Sequence, residues 1–140
     1  MPPDPVLSVD ELTTIVAEAF PASVGYVVEE VTASGVRIRL EIDERHGRPG
    51  GTISGPAVMG LADLAAWLSI LSRIGPVVLA VTTSLHIDFL RKPDLTDLIA
   101  TGELIKLGRR LAVVDVAIRS SSSDALVAKA AVTYSIPPST

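Results

Sequence analysis

Hydrophobic and polar positions alternate strictly along VRIRLEID, residues 36–43. Val36, Ile38, Leu40 and Ile42 fall on one side, and Arg37, Arg39, Glu41 and Asp43 on the other. A period of two predicts a half-buried strand. VGYVVEEV (24–31) precedes it across TASG, whose small polar residues suit a hairpin turn. Four more strand-like runs fill the second half: VVLAVTTSLHIDFL (77–90), DLIATGELIKL (97–107), LAVVDVAIRS (111–120) and ALVAKAAVTYSI (125–136). LGRR and SSSD supply the turns between the last three. Near the start, VDELTTIVAEAF (9–20) has the spacing of a short amphipathic helix, stopped by Pro21.

One stretch breaks the alternation. In GGTISGPAVMGLADLAAWLSILSR (50–73), Asp63 is the one ionisable residue between Arg48 and Arg73. Ser54–Gly55–Pro56 makes a helix start, since serine or glycine caps and proline is tolerated in the first turn. Ile74–Gly75–Pro76 makes a stop. A bilayer span is a poor reading of this helix. It would put Asp63 near the membrane centre at a cost of about 2.5–3.5 kcal/mol, and the amphipathic strands need an apolar surface to cover. A helix apolar on all sides belongs inside a fold. The order of elements therefore predicts an α+β domain in which a curved, mostly antiparallel sheet of about six strands wraps a long central helix, with a short helix at the N-terminus.

Composition narrows the setting. The 140 residues suit one domain, 1–140, with an ordered core over about 8–136 and looser proline-containing ends, MPPDP and IPPST. A net charge of -4 offers no general attraction to nucleic acid. With no cysteine there is no disulfide framework, thiolate metal site or thiol nucleophile. No basic segment followed by an apolar run opens the chain, so the expected location is the cytoplasm.

SGPAVMGLAD (54–63) is similar to the His-Gly-Gly, four residues, Leu-Ala-Asp signature of the hotdog-fold thioesterases, specifically the phenylacetate-degradation (PaaI-like) acyl-CoA thioesterase group. LHIDFLRKP (85–93) looks like that family's next strand, which often ends in Phe-Leu-Arg-Pro. The resemblance runs from about Val24 to Ile136. It implies a hotdog fold and hydrolysis of an acyl-CoA thioester to free acid and coenzyme A, with no separate cofactor. It also implies an obligate homodimer, extended in some members to a tetramer, in which each active site lies between chains. Asp63 matches the family's general base or nucleophile, and Gly55 the residue whose backbone N–H points at the thioester oxygen. Thr82, or Thr83 one register away, matches a hydroxyl that some members supply from the partner subunit. Ser54 stands where the family has His, Pro56 where it has a second Gly, and Arg48 where many members have Asn. The missing His is a group that helps place the thioester carbonyl in relatives. A rival reading is a hotdog protein that binds acyl-CoA or another apolar ligand without hydrolysing it. A hydratase is third, because its catalytic motif would need a His.

The residues themselves support part of this. Leu61, Ala62, Leu64, Ala65 and Ala66 surround Asp63, and no Lys, Arg or His lies within one helical turn to pair with it. A carboxylate buried without a partner is costly, and an apolar cleft suits a poised base or nucleophile. Ser54 is an ordinary helix cap that also sits at an anion-friendly helix end. No serine triad is expected from it, since the two histidines lie elsewhere and no Gly-x-Ser-x-Gly elbow is present. His86 is expected to share a polar strand face with Thr82, Ser84 and Asp88. His46, His86 and Asp88 lack converging ligand spacing, so no metal site is expected. RPGG (48–51) lacks the ending of a phosphate loop and reads as a loop that could lie over a pocket, and Trp67 is expected in the core. Met59 and Leu64 are expected beside the acyl chain. Arg91 and Arg110 are the candidate contacts for coenzyme A phosphates.

Overall fold

The computed structural model of the protein describes residues 2–22 and 24–138. Met1, Ser139 and Thr140, the tips of the two ends expected to be loose, lie outside the described residues. Helix α1 (Val9–Ala19) leads into strands β1 (Tyr26–Val31) and β2 (Val36–Leu40). A 3-10 turn (Glu44–His46) and a small hairpin, β3 (Gly47–Arg48) and β4 (Thr52–Ile53), precede helix α2 (Gly55–Ile74). Strands β5 (Val81–Phe89), β6 (Leu98–Leu107), β7 (Leu111–Ser120) and β8 (Leu126–Ser135) complete the chain. Six strands form one antiparallel sheet in the order β1-β2-β6-β7-β8-β5. Helix α2 packs against β2, β6, β7, β8 and β5, so the sheet curves around it. This is the hotdog arrangement.

Strand periodicity explains the core. Val36, Ile38 and Leu40 point inward from β2, Ala112, Val114, Val116 and Ile118 from β7, and Ala128, Ala130 and Val132 from β8. They meet Leu61, Leu68, Ile70 and Leu71 of α2, all fully buried. Burying such a side chain contributes about 1.5–3 kcal/mol. Helix and sheet come closest at Gly102 of β6, where an added Cβ would overlap Ser69 Oγ. That hydroxyl donates to Ala65 O at 2.7 Å and accepts from Val36 N at 3.1 Å, tying β2 to the helix. Ser69, one of the few polar residues of the apolar run, is thus a satisfied core group.

Three boundaries differ from the sequence reading. Residues 77–80, read as the start of a strand, form a tight turn instead. Val77 N donates to Gly75 O at 2.7 Å and Ala80 N to Val77 O at 3.1 Å, following a left-handed Gly75 (φ 94). Ile42 leaves the β2 ladder because its N–H donates to Asp97 Oδ1 at 3.0 Å. The short β3–β4 hairpin falls in the segment read as a loop.

The N-terminal segment, expected to be loose, is anchored. Val6 N donates to Ser72 O at 2.7 Å. The buried Arg73 guanidinium donates to Pro3 O at 3.1 Å, Gly35 O at 3.1 Å and Thr32 O at 2.6 Å. Carbonyls rather than carboxylates satisfy this cation, and burial lowers its pKa. At the other end of this region, Ser8 and Glu11 form a reciprocal capping box that starts α1. Leu12 and Val16 are its buried stripe.

Gly102→Ala should destabilise the fold by about 1–3 kcal/mol, because the new methyl must push α2 off β6. Denaturant melts of the two proteins measure the difference. An unchanged midpoint would contradict the close approach.

Candidate active site

Asp63 sits in the middle of α2, half-buried, on a helix face the sheet leaves open. Its Oδ1 accepts two hydroxyl hydrogen bonds: from Tyr134 at 2.7 Å and from Thr82 at 2.8 Å. Among the described residues no donor reaches Oδ2. The carboxylate expected to be unpaired is therefore held at one oxygen by neutral donors and left open at the other. Burial pushes the Tyr134 phenol well above its usual pKa, with the neighbouring Asp63 charge adding to that, so the phenol stays protonated and donates.

Thr82 reaches Asp63 within one chain, and a bulge in β5 is the reason. Thr82 pairs with Tyr134 and Ser84 with Thr133, which leaves Thr83 as an extra residue between them. The extra residue inverts the alternation. Thr82 faces inward beside Tyr134, whereas Ser84, His86 and Asp88 face out. The expectation that His86 and Thr82 share a face is corrected on this point. Thr83 is turned away from the site, its hydroxyl donating to Thr133 O at 3.2 Å. His86 and Asp88 pair with each other at 3.2 Å on the exposed face.

Next to Asp63 opens a cavity of about 510 Å³ lined by Phe20, Tyr26, Gly60, Leu64, Trp67, Val78, Ala80, Val81, Thr82 and Tyr134. The chain has five aromatic residues, and four of them line this space. Phe20, at the end of α1, meets Trp67 edge-on with ring centroids 5.3 Å apart. Trp67 is 4% exposed, as a core residue should be, and also forms one wall. Leu64 lines the cavity. Met59 is 41% exposed and is not part of the lining. Sequence reasoning missed Tyr134, Tyr26 and Phe20. Their scarcity was the available signal: in a chain with so few aromatics, one tyrosine on the last strand stands out.

The N-terminus of α2 faces a different space. Gly55, Arg48, Phe89, Arg91 and Lys92 line a second cavity of about 560 Å³. Ser54 Oγ accepts from Ala57 N at 3.3 Å and Ser54 O from Val58 N at 3.2 Å, so the serine is the cap. Gly55 N–H has no acceptor among the described residues. Phe89 lies 3.8 Å from where a Gly55 Cβ would stand. The helix dipole and the three nearby cations give this end a positive field. Eight residues of helix place Gly55 about 12 Å along the axis from Asp63. One chain cannot aim both at a single carbonyl. Arg110 lies at the opposite end of the sheet from Arg91, and its Nε donates to Ile136 O at 3.1 Å. The structure does not bring these two cations together within one chain.

A helix inside a curved sheet, with a carboxylate at mid-helix and a free N–H at its start, defines a hotdog domain with an acid-bearing cleft. A sequence profile described as "Thioesterase superfamily" matches residues 50–127, more than half of the chain. The chain belongs to the thioesterase superfamily. It is similar to a crystal structure described as a "putative thioesterase" from Silicibacter sp. TM1040, with 40% identity, a TM-score of 0.89 and coverage of 96% of this chain and 95% of that one. A protein of Thermoplasma acidophilum described as a "putative esterase" is 25% identical over 71% of this chain and 75% of its own length. Zebra fish thioesterase superfamily member 2 shares the fold at 21% identity and a TM-score of 0.81, over 94% of this chain and 99% of that one.

Ser54→Ala removes the α2 cap. It should lower stability by about 0.5–2 kcal/mol, read as a shift of the denaturation midpoint, with the fold intact. No shift would mean the serine does not cap.

Proposed function

We propose that this protein hydrolyses acyl-CoA thioesters at a site completed by a second copy of the chain. The observation that carries the reading is the Asp63 carboxylate, with one oxygen held by Thr82 and Tyr134 and the other open to an aromatic-walled cavity. Asp63 Oδ2 takes a proton from water as that water adds to the thioester carbonyl. The tetrahedral oxyanion is held by the Gly55 N–H and the α2 dipole of the partner copy. Collapse breaks the C–S bond, leaving the free acid and the coenzyme A thiolate, which takes up a proton. The acyl group occupies the cavity along Leu64 and Trp67. Arg91, with Arg48 and Lys92 beside it, meets the nucleotide phosphates.

The requirement for a partner follows from distance. Gly55 and Asp63 of one chain lie too far apart to serve one carbonyl. Strand β5 is an unpaired edge with Val81 58% and Phe89 52% exposed. Pro56, Met59 and Gly60 leave part of α2 uncovered beside it. An exposed apolar edge invites pairing. Antiparallel pairing of β5 about a two-fold axis brings the Thr82 end of one copy against the Phe89 end of the other. That juxtaposes Asp63 of the first with Gly55 and Arg91 of the second, and buries the uncovered stripe. Thr82 in this arrangement supports the Asp63 of its own chain.

One observation favours a second reading. Ser54 Oγ is engaged in the cap, so it is not free to hold the carbonyl as the resembling family's His does. Binding of acyl-CoA without hydrolysis is the reading that follows. Thiol release from a panel of acyl-CoAs, measured beside direct binding, separates the two. Hydrolysis is expected, and Asp63→Asn should reduce turnover about a hundredfold or more, the range a general base contributes. Binding without thiol release selects the rival, and unchanged turnover in Asp63→Asn removes Asp63 from the mechanism. Light scattering at micromolar concentration should give a dimer or larger. A fully active monomer would contradict the shared site.

A further inference from the structure

The Tyr134 hydroxyl is more than a buried polar group finding a partner. Tyr134 lies on β8, 4% exposed, and its OH is 2.7 Å from Asp63 Oδ1 and 3.2 Å from Asp63 O. It touches the oxygen that also accepts from Thr82. Both donors fall on one carboxylate oxygen, so the side chain cannot rotate to exchange its two oxygens without giving up both bonds.

We infer that Tyr134 is the positioning residue of the site: its hydroxyl locks the Asp63 carboxylate so that Oδ2 alone faces the reacting water. The inference rests on the thioester-hydrolase reading above. It adds that the acid is held by an aromatic hydroxyl from the last strand of the same chain. Three features support it. A hydrogen bond to a charged group is stronger than a neutral one, so it holds the carboxylate's orientation. Among the described residues no cation, histidine or second carboxylate of the same chain lines this space. Within one chain the side-chain donors to Asp63 are therefore the two hydroxyls. The β5 bulge brings Thr82 and Tyr134 side by side, so the two donors converge from adjacent strands of a rigid sheet rather than from loops.

Tyr134→Phe deletes the hydroxyl and keeps the ring that fills the core slot. With an acyl-CoA that the wild type hydrolyses, kcat should fall about tenfold or more while KM stays within about twofold, because the lost bond orients the base and does not touch substrate. Thr82→Val, at an exposed strand position, removes the other donor to the same oxygen. It should lower kcat in the same way with KM little changed, and serves if the phenylalanine variant folds poorly. Asp63→Asn is measured alongside. An inactive Asp63→Asn with both donor variants matching wild type in kcat overturns the role of Tyr134 and leaves the hydrolase reading standing. A fully active Asp63→Asn, or a wild type that releases no thiol from any acyl-CoA, overturns both.

Discussion

The structure depends on enclosing α2. A 20-residue helix with a single carboxylate cannot stand in water, and the six-stranded sheet is its main partner. Curving six strands around it buries most of the helix, but a single layer does not close. A stripe through Pro56, Met59, Gly60, Asp63 and Leu64 stays open or half-open. The carboxylate is on that stripe. Placed on the sheet-facing side of this helix it would face packed apolar side chains, where an uncompensated charge costs several kcal/mol. The fold thus permits an acid in its core helix at the one face where solvent, substrate or a second chain can reach it.

The remaining geometry follows from which strands flank the open stripe. β5 is the last strand of the sheet and its outer edge is bare. Its bulge at Thr83 turns Thr82 inward next to Tyr134 and so equips Asp63 with two donors. The same strand ends at Phe89 beside Gly55, where Arg48, Arg91 and Lys92 gather around the start of α2. One edge strand therefore carries the acid-supporting group at one end and borders the N–H donor and cations at the other. In the proposed dimer a two-fold axis through that edge would unite the two halves, and oligomerisation and chemistry would be a single requirement.

Much of the fold could be read along the chain, and less of the site. Strict alternation in β2 is a direct image of its inward and outward faces as far as Leu40, and β7 stands where its strand-like run places it. Asp63 was legible from its isolation in an apolar run, and Ser54 from its position ahead of Gly55 and Pro56. The face of Thr82 was not legible. A bulge inverts parity without leaving a composition signal, so counting by twos put Thr82 with His86. Tyr134 was hidden for a related reason: its role depends on which strand lies beside β5, and neighbours in a sheet are set by tertiary packing. Arg91 and Arg110 looked equivalent as basic residues near strand ends. The sheet places those ends on opposite sides, and Arg110 spends its guanidinium on Ile136 O. The interior fate of Arg73 was equally unreadable, since its partners are backbone carbonyls 38 to 70 residues away in the sequence, reached only once the helix C-terminus meets the β1–β2 turn.

The central claim is that each catalytic site takes Asp63 from one chain and the Gly55 N–H from another. Complementation tests it most directly. Gly55→Pro removes the N–H at the first helical position, where proline is tolerated, and Ser54 already has the extended backbone (ψ 148) that a following proline requires. Asp63→Asn removes the base. Each variant alone should be nearly inactive. Co-refolded in equal amounts, they should form mixed dimers in which one of the two sites is fully wild type, restoring about a quarter of the wild-type activity for random isologous pairing. Failure of the mixture to recover activity, or full activity of Gly55→Pro by itself, would contradict the shared site.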